Sequence, residues 1–178
     1  MILALAGRRI DRPGTEPVFP LDKIEIVRKK IFQFLISNRP VSIVCSAACG
    51  ADLIALQAAR ELNIERHIVL PYTPGIFKTV SVTDRPGDWE LIYDTVIEES
   101  IKTSRLTVLG FSTDDKNAFE KTNTEILKKA AQLAGPEKKI QALIVWDGKA
   151  KNNDITLHFK TQAEKQGYVV SEINTLKS

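Results

Sequence analysis

The chain has 178 residues, a net charge of +3 and 43% hydrophobic residues, which is ordinary for a globular protein with its own core. Because 25 basic residues face 22 acidic ones, the charge permits an anionic ligand but does not require a nucleic acid, and we expect no nucleic-acid partner. Cys45 and Cys49 lie without nearby histidines, so we expect reduced thiols and no metal site. No apolar run has the length of a membrane span. We therefore expect a cytoplasmic protein without a cofactor or a membrane partner.

Apolar runs alternate with amphipathic helical patterns along the whole chain. The runs predict six strands, at residues 2–6, 41–45, 67–70, 106–109, 140–146 and 169–173. Apolar residues at helical spacing predict five helices between them, with apolar faces at 24–35, 53–62, 89–97, 119–133 and 155–163. Two long segments, 8–20 and 72–88, are predicted as loops. This alternation is typical of a parallel sheet covered on both faces. We predict one α/β domain over residues 1–178, a three-layer Rossmann-like sandwich with a mainly parallel sheet of about six strands.

Polar or glycine-bearing segments follow five of the predicted strands. In an open parallel sheet, ligands bind beyond the carboxyl ends of the strands, near the point where the strand order reverses. These strand ends therefore predict a ligand site at one edge of the sheet. The segments concerned are 7–9, 46–52, 71–85, 110–123 and 146–148.

The most informative of these is the 46–52 turn, which reads Ser-Ala-Ala-Cys-Gly-Ala-Asp between a strand and a helix. Small residues let a ligand approach the backbone, and the first N–H groups of a helix lack intrahelical partners and favour an anion. A close-packed turn without a ligand has the same composition. The other strand ends favour the ligand interpretation, with Ser46, Cys49, Gly50, Ala51 and Asp52 as candidate contacts.

Several segments together resemble the SLOG superfamily, the Rossmann-like group that includes DprA proteins and LOG phosphoribohydrolases. They are Gly7-Arg8-Arg9-Ile10-Asp11, Ser46-x-Ala48-x-Gly50-x-Asp52, Leu70-Pro71-Tyr72 and Trp146-Asp147-Gly148. The resemblance implies a nucleotide or nucleotide-derived ligand, often in a sensing role, and it suggests a homodimer. Two departures count against hydrolysis: Arg8 stands where the stand-alone branch usually has histidine, and the LOG Pro-Gly-Gly-x-Gly-Thr-x-x-Glu signature is absent.

Arg8 and Arg9 are candidate phosphate ligands, because a guanidinium group can hold a phosphate through two parallel hydrogen bonds. An ion pair with Asp11, or simple solvation, is the alternative. Neighbouring side chains diverge, so we expect only one of the two arginines to reach the ligand.

Four further residues, together with Asp52, could contact a nucleotide. Asp147 could bind ribose hydroxyls, and Gly148 permits close backbone approach. Trp146 could flank a base, although an indole at a strand end is more often part of the core. Asn123 could reach a base, the backbone or solvent. Asp52 could bind a hydroxyl or orient an arginine, or it could complement the helix dipole. The nearby Asp154 is better explained as a helix cap.

The sequence thus favours binding or sensing of a nucleotide or nucleotide-derived ligand. The alternative is an N-glycosidic-bond hydrolase of the LOG type, with Asp52, Asp84, Glu90 or Asp147 as the carboxylate; no spacing selects a catalytic residue. A second alternative is DprA-like binding of single-stranded DNA, which would need stacking aromatic residues in a basic groove.

Overall fold

The computed structural model describes residues 1–136 and 139–177. Within these residues, strands alternate with α-helices, except that two α-helices lie between the third and fourth strands. The strands are β1 (Ile2–Gly7), β2 (Ser42–Cys45), β3 (Glu65–Leu70), β4 (Leu106–Val108), β5 (Ile140–Trp146) and β6 (Val169–Asn174). The helices are α1 (Ile24–Asn38), α2 (Ala51–Glu61), α3 (Pro74–Ser81), α4 (Glu90–Lys102), α5 (Ala118–Ala134) and α6 (Ile155–Lys165), and a short 3-10 turn at Leu21–Lys23 precedes α1.

All six strands join one sheet in the order β4-β3-β2-β1-β5-β6, and every neighbouring pair is parallel. The predicted Rossmann-like α/β fold is confirmed. The chain runs outward from β1 to β4 and then returns to place β5 beside β1. The strand order therefore reverses between β1 and β5, which is where such sheets bind ligands.

Alternate side chains of each buried strand serve the two faces of the sheet. Leu3 and Leu5 pack in one cluster with residues of α1, α2, α3 and α4. Ile2 and Ala4 pack in a second cluster with residues of α5 and α6. The crossover between β4 and β5 thus carries the chain to the second face, and α5 runs across β1, β2 and β3.

The segment 72–88 was predicted as a loop, and this prediction is wrong in its first half. Helix α3 occupies Pro74–Ser81, with Thr73 as its N-cap and Pro74 in the first turn. Proline is favoured at that position because its missing N–H would have no intrahelical partner. Phe77 lies on the inner face of the helix and is buried in the core. The segment therefore forms a wall beside the carboxyl edge of the sheet.

Candidate functional site

A cavity of about 560 Å³ lies at the carboxyl edge of the sheet, beside the point where the strand order reverses. The end of β1 and residues of α2, α3, α5 and α6 form part of its wall. The loops after β1, β2 and α3 and the loop before α6 contribute the rest. The cavity combines apolar side chains with polar and charged groups. Its main apolar members are Leu5, Val18, Phe77, Phe119, Ile126 and Ile155.

About half of the site residues predicted from the sequence line this cavity, and the others lie outside its wall. Those that line it are Gly7, Arg8, Arg9, Asp11, Ser46, Asp52 and Asn123. Those that do not are Cys49, Gly50, Ala51, Trp146, Asp147 and Gly148. The structure therefore brings the loop after β1, part of the 46–52 turn and α5 together around the cavity. The predicted residues at the end of β5 do not line it.

Gly50 has a φ of +105°, and a Cβ atom there would lie 2.7 Å from the carbonyl oxygen of Arg8. The close approach that the sequence attributed to a ligand is thus made by the protein's own backbone. Gly7 is equally confined, since its Cβ would lie 2.4 Å from the Cβ of Ala51. Both glycines are needed where α2 crosses the end of β1.

The N-terminus of α2 also finds its partners within the chain. The Ala51 N–H donates to the carbonyl of Arg8 at 3.1 Å, and the Leu53 and Ile54 N–H groups donate to carbonyls of the 46–52 turn. The carboxylate of Asp52 accepts the Ala48 N–H at 3.2 Å. With these donors used and a carboxylate beside them, the sequence argument for an anion at this helix loses its basis.

Arg8 is held by two buried carboxylates, one directly after β5 and one at the start of α6. Its Nε donates to Asp147 at 2.8 Å, and Nη1 and Nη2 donate to the two oxygens of Asp154 at 2.7 and 2.8 Å. A fourth hydrogen bond reaches the carbonyl of Lys149 at 2.8 Å. Both carboxylate side chains are 1% exposed. Arg8 therefore ties β1 to the β5–α6 connection.

Asp154 also performs the capping role predicted from the sequence, because its Oδ1 accepts the Leu157 N–H at the start of α6. Burial alone would raise the pKa of this carboxyl. Hydrogen bonds from Arg8 and from backbone N–H groups outweigh burial, so the pKa of Asp154 is lowered.

Arg9 diverges from Arg8, as expected, and meets a different set of groups. Its Nη2 donates to Oδ1 of Asp84 and lies 3.8 Å from Sγ of Cys49. Two more arginines approach the other oxygen of Asp84: Nη2 of Arg12 at 3.4 Å and Nε of Arg85 at 3.3 Å. We call Arg9, Arg12 and Arg85 the arginine cluster. One carboxylate thus faces three cations, all of which line the cavity.

Three buried polar atoms of the cavity wall have no hydrogen-bond partner among the described residues. They are Nε of Arg9, Oγ of Ser46 and Oγ of Ser81. Buried polar groups in proteins are normally paired, and an unpaired one costs roughly 1–3 kcal/mol. Three such atoms in the wall of one cavity are a feature that a polar ligand would explain.

Asp52 is a buried carboxyl in the cavity wall without an ion-pair partner among the described residues. Burial raises its pKa to about 7, against smaller opposing effects from the Ala48 N–H and the charge of Arg9. It also contributes to the raised pKa of the Cys45 thiol, for which burial is the main cause. Asp52 therefore exchanges its proton near neutral pH.

Two other predicted residues have structural partners. Asn123 is buried on α5, and its amide donates to the carbonyl of Ile155 at 2.8 Å, so it binds backbone and does not face solvent. The carboxylate of Asp11 accepts the N–H groups of Val18 and Phe19, both at 3.0 Å. Asp11 thereby closes the loop after β1 and makes no ion pair with Arg8 or Arg9 among the contacts of the described residues.

The end of β5 is packed into the protein. Trp146 is 5% exposed and donates to Glu172 at 2.6 Å. The cations of Arg8 and Lys160 lie 5.6 and 5.2 Å from the centroid of its ring. The backbone carbonyl of Asp147 accepts the Asn174 amide, while its side chain holds Arg8. These contacts favour the core interpretation of Trp146 over a base platform.

Sequence reasoning missed Arg12 and the shared role of Asp84. Arg12 lies in a loop without periodicity, and Asp84 is 72 positions away along the chain, so no local pattern links them. Lys78 on α3 pairs with Glu90 and Asp94 of α4 at 2.7 and 2.8 Å and does not line the cavity. The sequence signal for this cluster was the presence of Arg9, Arg12 and Arg85 in the two long segments 8–20 and 72–88.

No three His, Cys, Asp or Glu side chains gather closely enough to hold a metal ion in residues 1–136 and 139–177. In the same residues, none of the helices has the length and apolar character of a membrane span. No known family model matches the chain, and no curated protein matches it. The SLOG resemblance therefore stays a prediction, and the function has to be argued from the site.

Proposed function

We propose that the protein binds a nucleotide or nucleotide-derived small molecule in the cavity at the carboxyl edge of the sheet. One observation carries the proposal: the same cavity has an apolar, aromatic-bearing wall and a group of arginines with surplus positive charge. A nucleotide has the matching composition, with a flat, weakly polar base and an anionic phosphate. The position beside the reversal of strand order is also the one at which this architecture binds ligands.

The dimensions of the cavity support a ligand of this size. Small-molecule sites commonly have volumes of roughly 300–1,000 Å³, apolar linings and a few polar groups that fix orientation. This cavity has about 560 Å³, and Phe77 and Phe119 lie in its wall. Phe119 is oriented by Tyr72, whose ring meets it edge-on with 5.9 Å between the ring centroids. A base against Phe119 would gain stacking and apolar burial.

Calorimetric titration with mono-, di-, cyclic and dinucleotides, and with the matching nucleosides, tests the proposal. We expect at least one nucleotide to bind with a Kd below 1 mM, and Phe119→Ala to weaken that binding about threefold to tenfold, the loss expected for an aromatic contact. Ile36→Ala is the matched control, since Ile36 is a similarly exposed apolar residue on α1 outside the cavity. Absence of binding by every compound at millimolar concentration would contradict the proposal.

Hydrolysis of an N-glycosidic bond is the second candidate, and it is favoured by one specific observation. Asp52 lines the cavity as a buried carboxyl with a pKa raised to about 7 by burial, which suits a general acid or base. Chromatography of nucleoside monophosphates after long incubation separates the candidates. Binding without chemistry predicts intact nucleotide, whereas base release that disappears in Asp52→Asn would favour the hydrolase.

A further inference from the structure

We propose that Arg9, Arg12 and Arg85, the arginine cluster, form a subsite that binds a phosphate or other oxyanion of the ligand. The subsite lies where the loop after β1 meets the segment that follows α3, at the Asp84 side of the cavity. The inference deepens the proposed function and rests on it for the nucleotide, but anion binding by the cluster can be tested without a nucleotide.

The charges of the cluster are incompletely balanced. Asp84 supplies one negative charge to three guanidinium groups, and only the contact from Arg9 is short; the other two are 3.3 and 3.4 Å. The Asp84 and Arg85 side chains are each 20% exposed, and that of Arg9 is 26% exposed, so water screens these charges only in part. An oxyanion bound here would reduce the repulsion among the three cations.

The titration behaviour of Arg85 agrees with this arrangement. Its pKa is lowered, first by burial and next by the positive charge of Arg9. A lowered pKa is expected for an arginine that is partly buried and lies close to other positive charges. Arg85 is nevertheless fixed in orientation, because its Nη1 donates to the carbonyl of Ile10 at 2.9 Å.

Unpartnered polar atoms provide independent support for a ligand at this place. Nε of Arg9 is buried and has no hydrogen-bond partner among the described residues, and Oγ of Ser81 has none either. Ser81 is 1% exposed, belongs to the last turn of α3 and lines the same cavity as the cluster. A tetrahedral oxyanion offers several acceptor atoms, which suits a guanidinium N–H and a hydroxyl together.

Two other candidate anion-binding groups near the cavity, Arg8 and the N-terminus of α2, are less suited to an anion. Arg8 already donates four hydrogen bonds, three of them to Asp147 and Asp154. The first N–H of α2 donates to Arg8, and Asp52 lies beside it. Among the acidic residues of the cavity wall, Asp11 is engaged by two backbone N–H groups, and Glu16 lies in the exposed loop after Arg12.

Inorganic pyrophosphate is the probe, titrated at low ionic strength and followed by calorimetry and by the ³¹P NMR linewidth. We expect saturable 1:1 binding to the wild-type chain, weakened about tenfold or more in Arg85→Gln and severalfold in Arg12→Gln. Arg28→Gln is the charge-matched control, because Arg28 forms an exposed ion pair with Glu61 on the α1–α2 surface. It should bind pyrophosphate as the wild type does.

The outcomes separate the subsite from the nucleotide proposal. Binding that does not saturate, or that Arg12→Gln and Arg85→Gln lower no more than Arg28→Gln, overturns the subsite. Arg12 is 61% exposed, so Arg12→Gln decides the matter if Arg85→Gln fails to fold. Pyrophosphate binding that depends on the cluster, without binding of any nucleotide, supports the subsite and contradicts the nucleotide. Nucleotide binding that is unaffected by both substitutions keeps the proposed function and overturns the subsite.

Discussion

Arg8 and Arg9 are neighbours in the chain, yet their guanidinium groups lie in opposite electrostatic surroundings. Arg8 faces two carboxylates that are almost fully buried, and its donors are nearly all used. Arg9 shares one carboxylate with two other arginines and retains a buried donor without a partner. The charge and the hydrogen-bond donors of Arg8 are therefore compensated without a ligand, whereas the arginine cluster carries more positive than negative charge. The role of an arginine at a strand end therefore depends on the partners that the fold brings to it from distant parts of the chain.

Arg8→Gln gives the largest expected effect, because it removes the charge that compensates Asp147 and Asp154. Leaving buried carboxylates without their cation costs about 3–5 kcal/mol. Denaturant unfolding should show a loss of that size in the free energy of unfolding. Arg28→Gln, at an exposed pair with Glu61, should lose at most about 1 kcal/mol. Equal, small losses in the two variants would contradict the structural role of Arg8.

Asp52 and Asp154 both line the cavity, but they differ in their partners. Asp154 pairs with Arg8, whereas Asp52 has no ion-pair partner among the described residues. Its folded pKa of about 7 exceeds the unfolded value of about 3.9. Between these values the folded state holds the extra proton, so the free energy of unfolding should fall as the pH rises from about 4 to 7. Asp52→Asn should remove this slope and stabilise the protein at pH 8 by roughly 2–4 kcal/mol.

Unfolding curves from pH 4.5 to 8 measure the Asp52 contribution directly. The contribution of Asp154 has the opposite sign: its lowered pKa gives stability that is present above the unfolded pKa and is lost as the pH falls through the folded one. A wild type and an Asp52→Asn variant with parallel profiles would show that the Asp52 carboxyl is charged throughout this range.

Gly50 packs against the backbone of Arg8 and Arg9, at the point where these two side chains diverge. Its φ of +105° and the 2.7 Å approach of a Cβ to the Arg8 carbonyl predict that Gly50→Ala loses roughly 2–4 kcal/mol of unfolding free energy. Gly75→Ala is the control, because Gly75 lies in α3 with open space around it. Thermal denaturation of both variants checks the difference. If Gly50→Ala were as stable as Gly75→Ala, the packing of the turn on the first loop would be refuted.

Asp84→Asn gives the smallest effect and tests the cluster from its acidic side. Removing the carboxylate frees the three arginines from their present partner, so affinity for pyrophosphate should rise about threefold to tenfold, within the range of a charge-assisted hydrogen bond. Asp114→Asn is the control at an exposed loop position outside the cavity. Calorimetry measures both, and an affinity lowered by Asp84→Asn would place the carboxylate among the groups that the ligand needs.

The sequence was sufficient for the fold because every strand and its following helix carry local signals. Near-continuous apolar strands and amphipathic helices determine a parallel sheet, and the carboxyl edge follows from that topology. Among the described helices only α3 was missed, because Pro74 and Gly75 concealed its start after Thr73 and Val80 gave its end a β-branched character.

The candidate site was predicted less well, because its chemistry depends on pairings between distant residues. Arg8 meets Asp154 across 146 positions, and Arg9 meets Asp84 across 75. No spacing rule relates such residues, so the sequence could not assign one arginine to the fold and the other to a cavity. Gly50 was identified as a close approach, but only three-dimensional packing shows that the approaching atoms belong to Arg8.

A crystal soaked in selenate, a heavy analogue of the phosphate dianion, gives the most direct test of the anion subsite. Anomalous difference density locates the selenium without reference to any assumed ligand. We expect the strongest peak within hydrogen-bond distance of the guanidinium groups of Arg12 and Arg85. A strongest peak at Arg8, at the N-terminus of α2 or elsewhere on the surface, with none at the arginine cluster, would contradict it.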